Sequence, residues 1–282
     1  MIIWLSSYPK SGNTWVRLFL DYLLSSNKDF NINDNVIGQF PIRSHFLTLS
    51  ENINNQDEFA KYCIEAQQKL NLDDKQKILK THNAFWNWGG GKYTFTNEKN
   101  TLGVIYIVRD PRNIITSVLN YFHKKNYYEA LEFMKENKVL GGNEEEIGLP
   151  TIIGSWSNHY KSWKNNLNFE TLFIKYEEIE NNKEEIFKRI IFFIERVSKK
   201  NSKFNEKKFL NSIKSTNFSN LKNKELNEGF DERVSSKKTG KIINFFNLGF
   251  NNRWQKLLPP DIIEKINKKF NKELKELNYL YE

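Results

Sequence analysis

The segment Ser6-Ser7-Tyr8-Pro9-Lys10-Ser11-Gly12-Asn13-Thr14-Trp15 lies between an apolar start, Ile2 to Leu5, and an apolar-periodic run that begins at Val16. Its residue types suit the holding of a phosphate or sulfate. A turn from strand to helix leaves backbone N–H groups unpaired and adds the positive end of the helix dipole at the same point. Gly12 admits a backbone conformation closed to other residues, Ser11, Asn13 and Thr14 bring side-chain donors, and Lys10 brings a mobile full charge. The same residues also fit an ordinary turn with a helix cap at Ser11 or Thr14. An ATP- or GTP-type loop carries its lysine directly after the last glycine, followed by a Ser or Thr for magnesium. Here the lysine stands two positions before the glycine, which puts its ammonium at the entrance of the turn, where a bond to be broken would lie.

Such a loop needs a sheet behind it. Residues 2–5 read as a short buried strand and 14–26 as a helix; a polar, Asn-rich stretch over 27–57 then precedes a helix over 57–70. Residues 77–82 read as a second parallel strand whose polar carboxyl end opens into a site, and 102–108, Leu-Gly-Val-Ile-Tyr-Ile-Val, as a strand buried on both faces. A helix is expected from about Asn113, a helix bearing Trp156 and Trp163 over 151–166, and a strand over 171–179 leading to a helix over 183–197. The remainder reads as helical and irregular, closing with one amphipathic helix after Pro259-Pro260. Strands alternating with helices predict an α/β fold, a central parallel sheet flanked by helices, as a single domain over 1–282.

Composition narrows the function classes. The single cysteine, Cys63, excludes an intrachain disulfide and a Cys-rich metal site, and fits a reducing, cytoplasmic setting. Long apolar runs are absent, so no membrane span is expected, and a start directly in a core strand leaves no room for a signal peptide. The net charge of +9 is spread through Lys/Asn/Glu-rich helical stretches, where it solvates outer faces, and no nucleic-acid motif accompanies it.

Tyr8-Pro9-Lys10-Ser11-Gly12-Asn13-Thr14-Trp15 resembles the signature of the cytosolic-type sulfotransferases and their bacterial relatives, which transfer a sulfuryl group from 3′-phosphoadenosine 5′-phosphosulfate (PAPS) to an acceptor and release 3′-phosphoadenosine 5′-phosphate (PAP). The resemblance implies a P-loop-like, PAPS-binding fold, a hydroxyl or amine on a small-molecule or glycan acceptor, no metal, and a monomer or homodimer. It continues in Val104 to Ser117, where Arg109 and, eight residues later, Ser117 would grip the 3′-phosphate; an Arg fork at a strand end beside a helix hydroxyl suits that task on physical grounds as well. Leu79-Lys80-Thr81-His82 resembles the segment with the catalytic base, which maps to His82, with Lys80 assisting on the sulfuryl oxygens and Lys10 on the leaving oxygen. Of His45, His82, His123 and His159, only His82 falls where a strand is expected to end. By the same likeness Tyr176, Thr216 and Phe218 surround the adenine, Trp15 stacks on it, and Lys237, Lys238 and Gly240 belong to the loop that covers the 3′-phosphate. That last block departs from the family: its Gly-Asp-Trp is missing, and Trp254 comes only after an insertion. The acceptor is not readable: Phe40, Phe46, Phe85, Trp86 and Tyr127 suit the walls of an apolar pocket, and nearby Asn and His residues suit a sugar or polar alcohol equally well. The rival reading is a nucleotide-dependent kinase, with Asp110 after the strand 102–108 organising magnesium.

Overall fold

The computed structural model describes residues 1–27, 29–142, 148–200, 205–235 and 240–280. The chain opens with β1 (Ile2–Ser7), α1 (Asn13–Leu24), β2 (Gly38–Gln39), α2 (Gln56–Leu70) and β3 (Lys77–Thr81). Next come β4 (Asn87–Trp88), β5 (Tyr93–Thr94), β6 (Thr101–Val108), α3 (Pro111–Tyr121) and α4 (Tyr127–Lys135). They are followed by β7 (Lys138–Leu140), β8 (Thr151–Gly154), α5 (Trp156–Lys164), β9 (Thr171–Lys175), α6 (Tyr176–Asn181) and α7 (Lys183–Ser198). The last part holds α8 (Glu206–Ser215), α9 (Phe218–Glu228), β10 (Val234–Ser235), β11 (Ile242–Ile243), α10 (Trp254–Leu257), α11 (Pro260–Lys269) and α12 (Asn271–Glu276). These elements form two compact units, residues 1–13, 37–108 and 136–203 in the first, and 14–36, 109–135 and 204–282 in the second.

The first unit is built on a parallel sheet in the order β2-β3-β1-β6-β9. β1 takes the middle because all six of its residues, Ile-Ile-Trp-Leu-Ser-Ser, tolerate burial. It runs beside β3 from Ile2↔Lys77 to Ser6↔Thr81 and beside β6 as far as Ser7↔Ile107. The chain leaving β1 returns on one side, at β2 and β3, while the chain leaving β6 returns on the other, at β9. Parallel sheets bind ligands at the carboxyl ends of the strands where connections diverge in this way, here between β1 and β6.

Alternation of side chains along β6 sends Gly103 and Tyr106 to opposite faces. Gly103 meets α7 so closely that a Cβ would lie 2.9 Å from Phe193 Cζ and 3.1 Å from Val197 Cγ1. Tyr106 meets α5, its hydroxyl 2.7 Å from His159 Nδ1. Helices therefore cover both faces, as the alternation of strands and helices predicts. At the core, Trp4 packs on Phe40 and Phe95 with centroids 5.5 and 5.0 Å apart, and its indole N–H donates to Thr101 Oγ1 at 3.0 Å. Phe46 and Trp86 extend the same cluster through Phe59. Phe40, Phe46 and Trp86, suited by type to wall an acceptor pocket, are thus buried core residues, because Trp4 on the central strand needs aromatic partners.

One strand is shorter than the sequence reading. β9 stops at Lys175, opposite the end of β6 at Val108, and residues 176–179 turn into α6, with Glu178 accepting from the Lys175 backbone N–H at 3.3 Å.

In the second unit Asp110 caps α3, its carboxylate accepting from the Arg112 N–H at 2.8 Å, with Pro111 at the first helical position. Asn217 likewise caps α9, so part of the asparagine excess serves as helix caps. The closing helix is broken at Phe270 into α11 and α12. Apolar residues spaced by four drift about 40° per step around a straight helix; with the break, Ile262, Ile266, Phe270 and Leu274 are all buried. On α9 the buried Glu225 carboxylate accepts from the N–H groups of Phe245 and Phe246 at 2.6 and 2.8 Å.

Candidate functional site

The loop after β1 is the first feature of the first unit's site. Ser11 N–H donates to Tyr8 O at 3.3 Å, closing a four-residue turn with Pro9 second and Lys10 third, where φ is +68°. Proline followed by a positive φ is the pattern of a type II turn, whose third residue is usually glycine. Gly12 has φ +101°, and a Cβ there would come within 2.4 Å of Tyr176 Cδ2, so conformation and space both demand glycine. Tyr176, expected beside the adenine, packs against the loop at Gly12. Asn13 sends its amide N–H groups inward, to Leu5 O at 3.0 Å and Thr81 O at 3.5 Å, and acts as a strut between loop and strands. The side chains of Ser6, Tyr8 and Ser11, and Asn13 Oδ1, bury polar atoms that have no hydrogen-bond partner in the structure. Buried polar atoms are nearly always satisfied, and the three hydroxyls, at the end of β1 and in the loop, can donate to a bound phosphate or sulfate, whereas Asn13 Oδ1 can only accept.

His82 stands one residue beyond β3. The pairing Ser6↔Thr81 brings Ser7 alongside it, and His82 Nδ1 lies 2.8 Å from Ser7 O. A carbonyl only accepts, so Nδ1 carries the proton and Nε2 is the basic nitrogen. Lys80, two residues earlier on the same strand face, is buried opposite Leu5. Lys10, Ser11, Gly12, Asn13, Lys80, His82 and Tyr176 all belong to this unit. The residue that sequence reasoning undervalued is His159 of α5. It is fully buried, with Nε2 3.0 Å from His82 O, and burial lowers its pKa to about 3. Its position in a Trp-flanked helix signals core; only the fold shows which backbone it touches.

The second unit carries the other candidates. Thr14 donates its hydroxyl to Glu232 Oε2 at 2.7 Å, and Glu232 Oε1 lies 3.3 Å from Arg17 Nη2, itself paired with Asp21 at 2.6 Å. Trp15 is buried on the same helix, Arg109 is buried directly after β6, and Ser117 is half-buried two turns into α3. Thr216 ends α8 with its hydroxyl donated to Ser212 O at 2.7 Å. Phe218 packs in an aromatic cluster with Phe246 and Phe250. Gly240 is exposed with φ +66°, while Lys237 and Lys238 lie outside the described residues.

Asp110, the magnesium residue of the kinase reading, is engaged otherwise. Arg112 grips its carboxylate with Nε at 3.0 Å and Nη2 at 2.6 Å, and the same Nη2 donates to Tyr279 O at 2.6 Å. The Arg112 guanidinium also stacks on the displaced Trp254 at 4.1 Å. Among the described residues, no group of three or more His, Cys, Asp or Glu is gathered to hold a metal ion, and no helix is long and apolar enough to cross a membrane.

A family model described as a sulfotransferase domain matches residues 2–278. Mouse sulfotransferase 1 family member D1 is 22% identical over 204 residues, covering 69% of this chain and 59% of that protein. Mouse sulfotransferase 1E1 is 22% identical over 289 residues, covering 96% of this chain and 83% of the relative. Among solved structures, a mouse sulfotransferase complexed with PAP superimposes with a TM-score of 0.54 at 18% identity, over 97% of this chain and 84% of that one. At that identity the likeness is one of fold.

Proposed function

The chain belongs to the sulfotransferase family, and from that premise we propose that it transfers a sulfuryl group from PAPS to a hydroxyl or amine of a small-molecule or glycan acceptor, in the cytoplasm, with residues 1–282 acting as one catalytic domain. One observation carries the reading: the hydrogen bond from His82 Nδ1 to Ser7 O, 2.8 Å long, fixes a basic Nε2 at the end of the strand that runs straight into the anion loop. The three orphaned hydroxyls at the end of β1 and in that loop support an anionic ligand there.

PAPS, when bound, supplies a sulfuryl group on a phosphate leaving group. His82 is the general base, its Nε2 taking the proton of the acceptor hydroxyl or amine as the acceptor attacks. The Lys10 ammonium, the loop N–H groups and Thr14 meet the negative charge that grows on the departing oxygen. Lys80 assists on the sulfuryl oxygens. Arg109 and Ser117 hold the 3′-phosphate, with Lys237, Lys238 and Gly240 completing that end, and Trp15, Tyr176, Thr216 and Phe218 attend the adenine. Thr14 must exchange Glu232 for the ligand to do its part. The kinase reading has less support, since Arg112 holds the carboxylate it would need for magnesium.

Thermal unfolding with PAP in EDTA tests the reading. At a hundredfold excess over Kd, PAP is expected to stabilise the protein by about 2.7 kcal/mol. Arg109→Ala should lose most of that shift. A protein stabilised by ATP with magnesium and indifferent to PAP would move the assignment to the kinase class.

A further inference from the structure

We infer that His159 is a positioning residue for His82, holding the base by its peptide carbonyl while Ser7 holds it by its ring. The inference rests on the proposed role of His82 as the base.

His159 Nε2 lies 3.0 Å from His82 O and its Nδ1 lies 2.7 Å from Tyr106 Oη. Because the carbonyl only accepts, Nε2 carries the hydrogen, and Nδ1 accepts from the Tyr106 hydroxyl. One tautomer satisfies both bonds. Burial keeps the imidazole neutral and holds the Tyr106 phenol protonated well above its usual range, so neither role reverses across ordinary working pH. The Tyr8 ring meets the imidazole edge-on at 5.7 Å. His159 thus ties together residues from the ends of β1 and β3 and from the middle of β6.

The rest of α5 explains why this contact bears on His82 in particular. Trp163 Nε1 donates to Asn83 O at 3.0 Å, and Ser162 Oγ accepts from Phe85 N–H at 2.9 Å. Ala84 N–H donates to Ile152 O at 2.8 Å, on the strand just before α5. Residues 82–85 are therefore bound one by one, and His159 holds the first of them. Its loss leaves three anchors in place and frees the peptide that carries the base. A displacement of about 1 Å at a reacting group can cost on the order of 10² in rate. A histidine that only filled the core would affect stability, and with it every function together.

The test compares His159→Leu, His159→Gln and His82→Ala for turnover with PAPS, PAP affinity by calorimetry, and Tm. Glutamine retains an N–H that can reach the His82 carbonyl. The expected pattern is an inactive His82→Ala, a His159→Leu with kcat lowered at least tenfold and PAP Kd within twofold of wild type, and a His159→Gln that recovers most of kcat. An inactive His82→Ala beside a His159→Leu of wild-type kcat overturns the inference and leaves the base assignment standing. So does a loss shared equally by kcat and PAP affinity. An active His82→Ala overturns the base assignment and the inference with it. If His159→Leu does not fold, Tyr106→Phe removes the partner of Nδ1 together with the hydroxyl's hydrogen bond to the Tyr8 backbone, whose loss would show in PAP binding: a severalfold fall in kcat at unchanged PAP Kd supports the inference, and an unchanged kcat refutes it.

Discussion

Lys10 occupies a turn position that suits glycine, at φ +68°, and the strain for a side chain there is roughly 1 kcal/mol. A lysine held at that cost points to a use for the ammonium rather than for the backbone. Lys10→Gly is accordingly expected to hold or raise the Tm while lowering kcat by about 10²–10³, the usual cost of removing one preorganised donor. A variant that loses stability, or keeps its turnover, would show that the lysine serves the fold. Glu232 offers a second separation, because its carboxylate takes the Thr14 hydroxyl that the proposed ligand needs. Removing that charge in Glu232→Gln should tighten PAP binding about fivefold, the equivalent of about 1 kcal/mol between charges in a water-like medium; weaker binding by calorimetry would mean that Glu232 holds Thr14 and Arg17 in place for the ligand. The places of Gly12 in a turn and of His82 at a strand end were legible in the sequence because each depends on its local setting. Glu232 and His159 were not, since the first acts 218 positions from Thr14 and the second 77 positions from His82.

Elements place these groups, and β6 shows how tightly. Gly103 faces α7 with no room for a methyl group: beyond the two side-chain contacts, Glu170 O lies 3.3 Å from where a Cβ would sit. Gly103→Ala should push α7 outward and lower stability by about 1–3 kcal/mol, read from the urea midpoint at constant m-value. An unchanged midpoint would mean that α7 gives way freely. β1, β3 and β6 were readable as apolar runs ending in polar residues. Less of β9 was, because Tyr176 and Ile179 extend the apolar run around Glu177 and Glu178, and the pairing stops where β6 ends, at Val108↔Lys175. The break at Phe270 was hidden for a similar reason: the periodic run is unbroken in sequence, and burial of both halves requires the kink. Phe40, Phe46 and Trp86 are buried in the aromatic core, and composition does not say whether an aromatic lines a cavity or fills one.

At the scale of the whole molecule, two histidines link stability to pH. Burial lowers His159 to a pKa of about 3 and His45 to about 4, while both titrate near 6.5 in the unfolded chain. Above 6.5 they are neutral in both states and cost nothing. Below it the unfolded chain takes up protons that the native protein refuses, so stability falls progressively as pH drops from about 6.5 toward 3. Each fully refusing group contributes up to about 1.4 kcal/mol per pH unit. Denaturant midpoints at pH 7.5 and 5 should therefore differ, and His159→Gln should flatten the difference; an equal slope in that variant would mean that other groups govern the acid limb. The +9 charge adds that PAP affinity is expected to weaken with salt, as surface charges are screened.

Radiosulfur-labelled PAPS, incubated in EDTA with a panel of alcohols, phenols, amines and glycans, addresses the chemistry itself. Wild-type protein is predicted to move the label into at least one acceptor class, and His82→Ala, still binding PAP, to move almost none. Transfer by His82→Ala at the wild-type rate, or no transfer to any acceptor by a wild-type protein that hydrolyses ATP with magnesium, would contradict it.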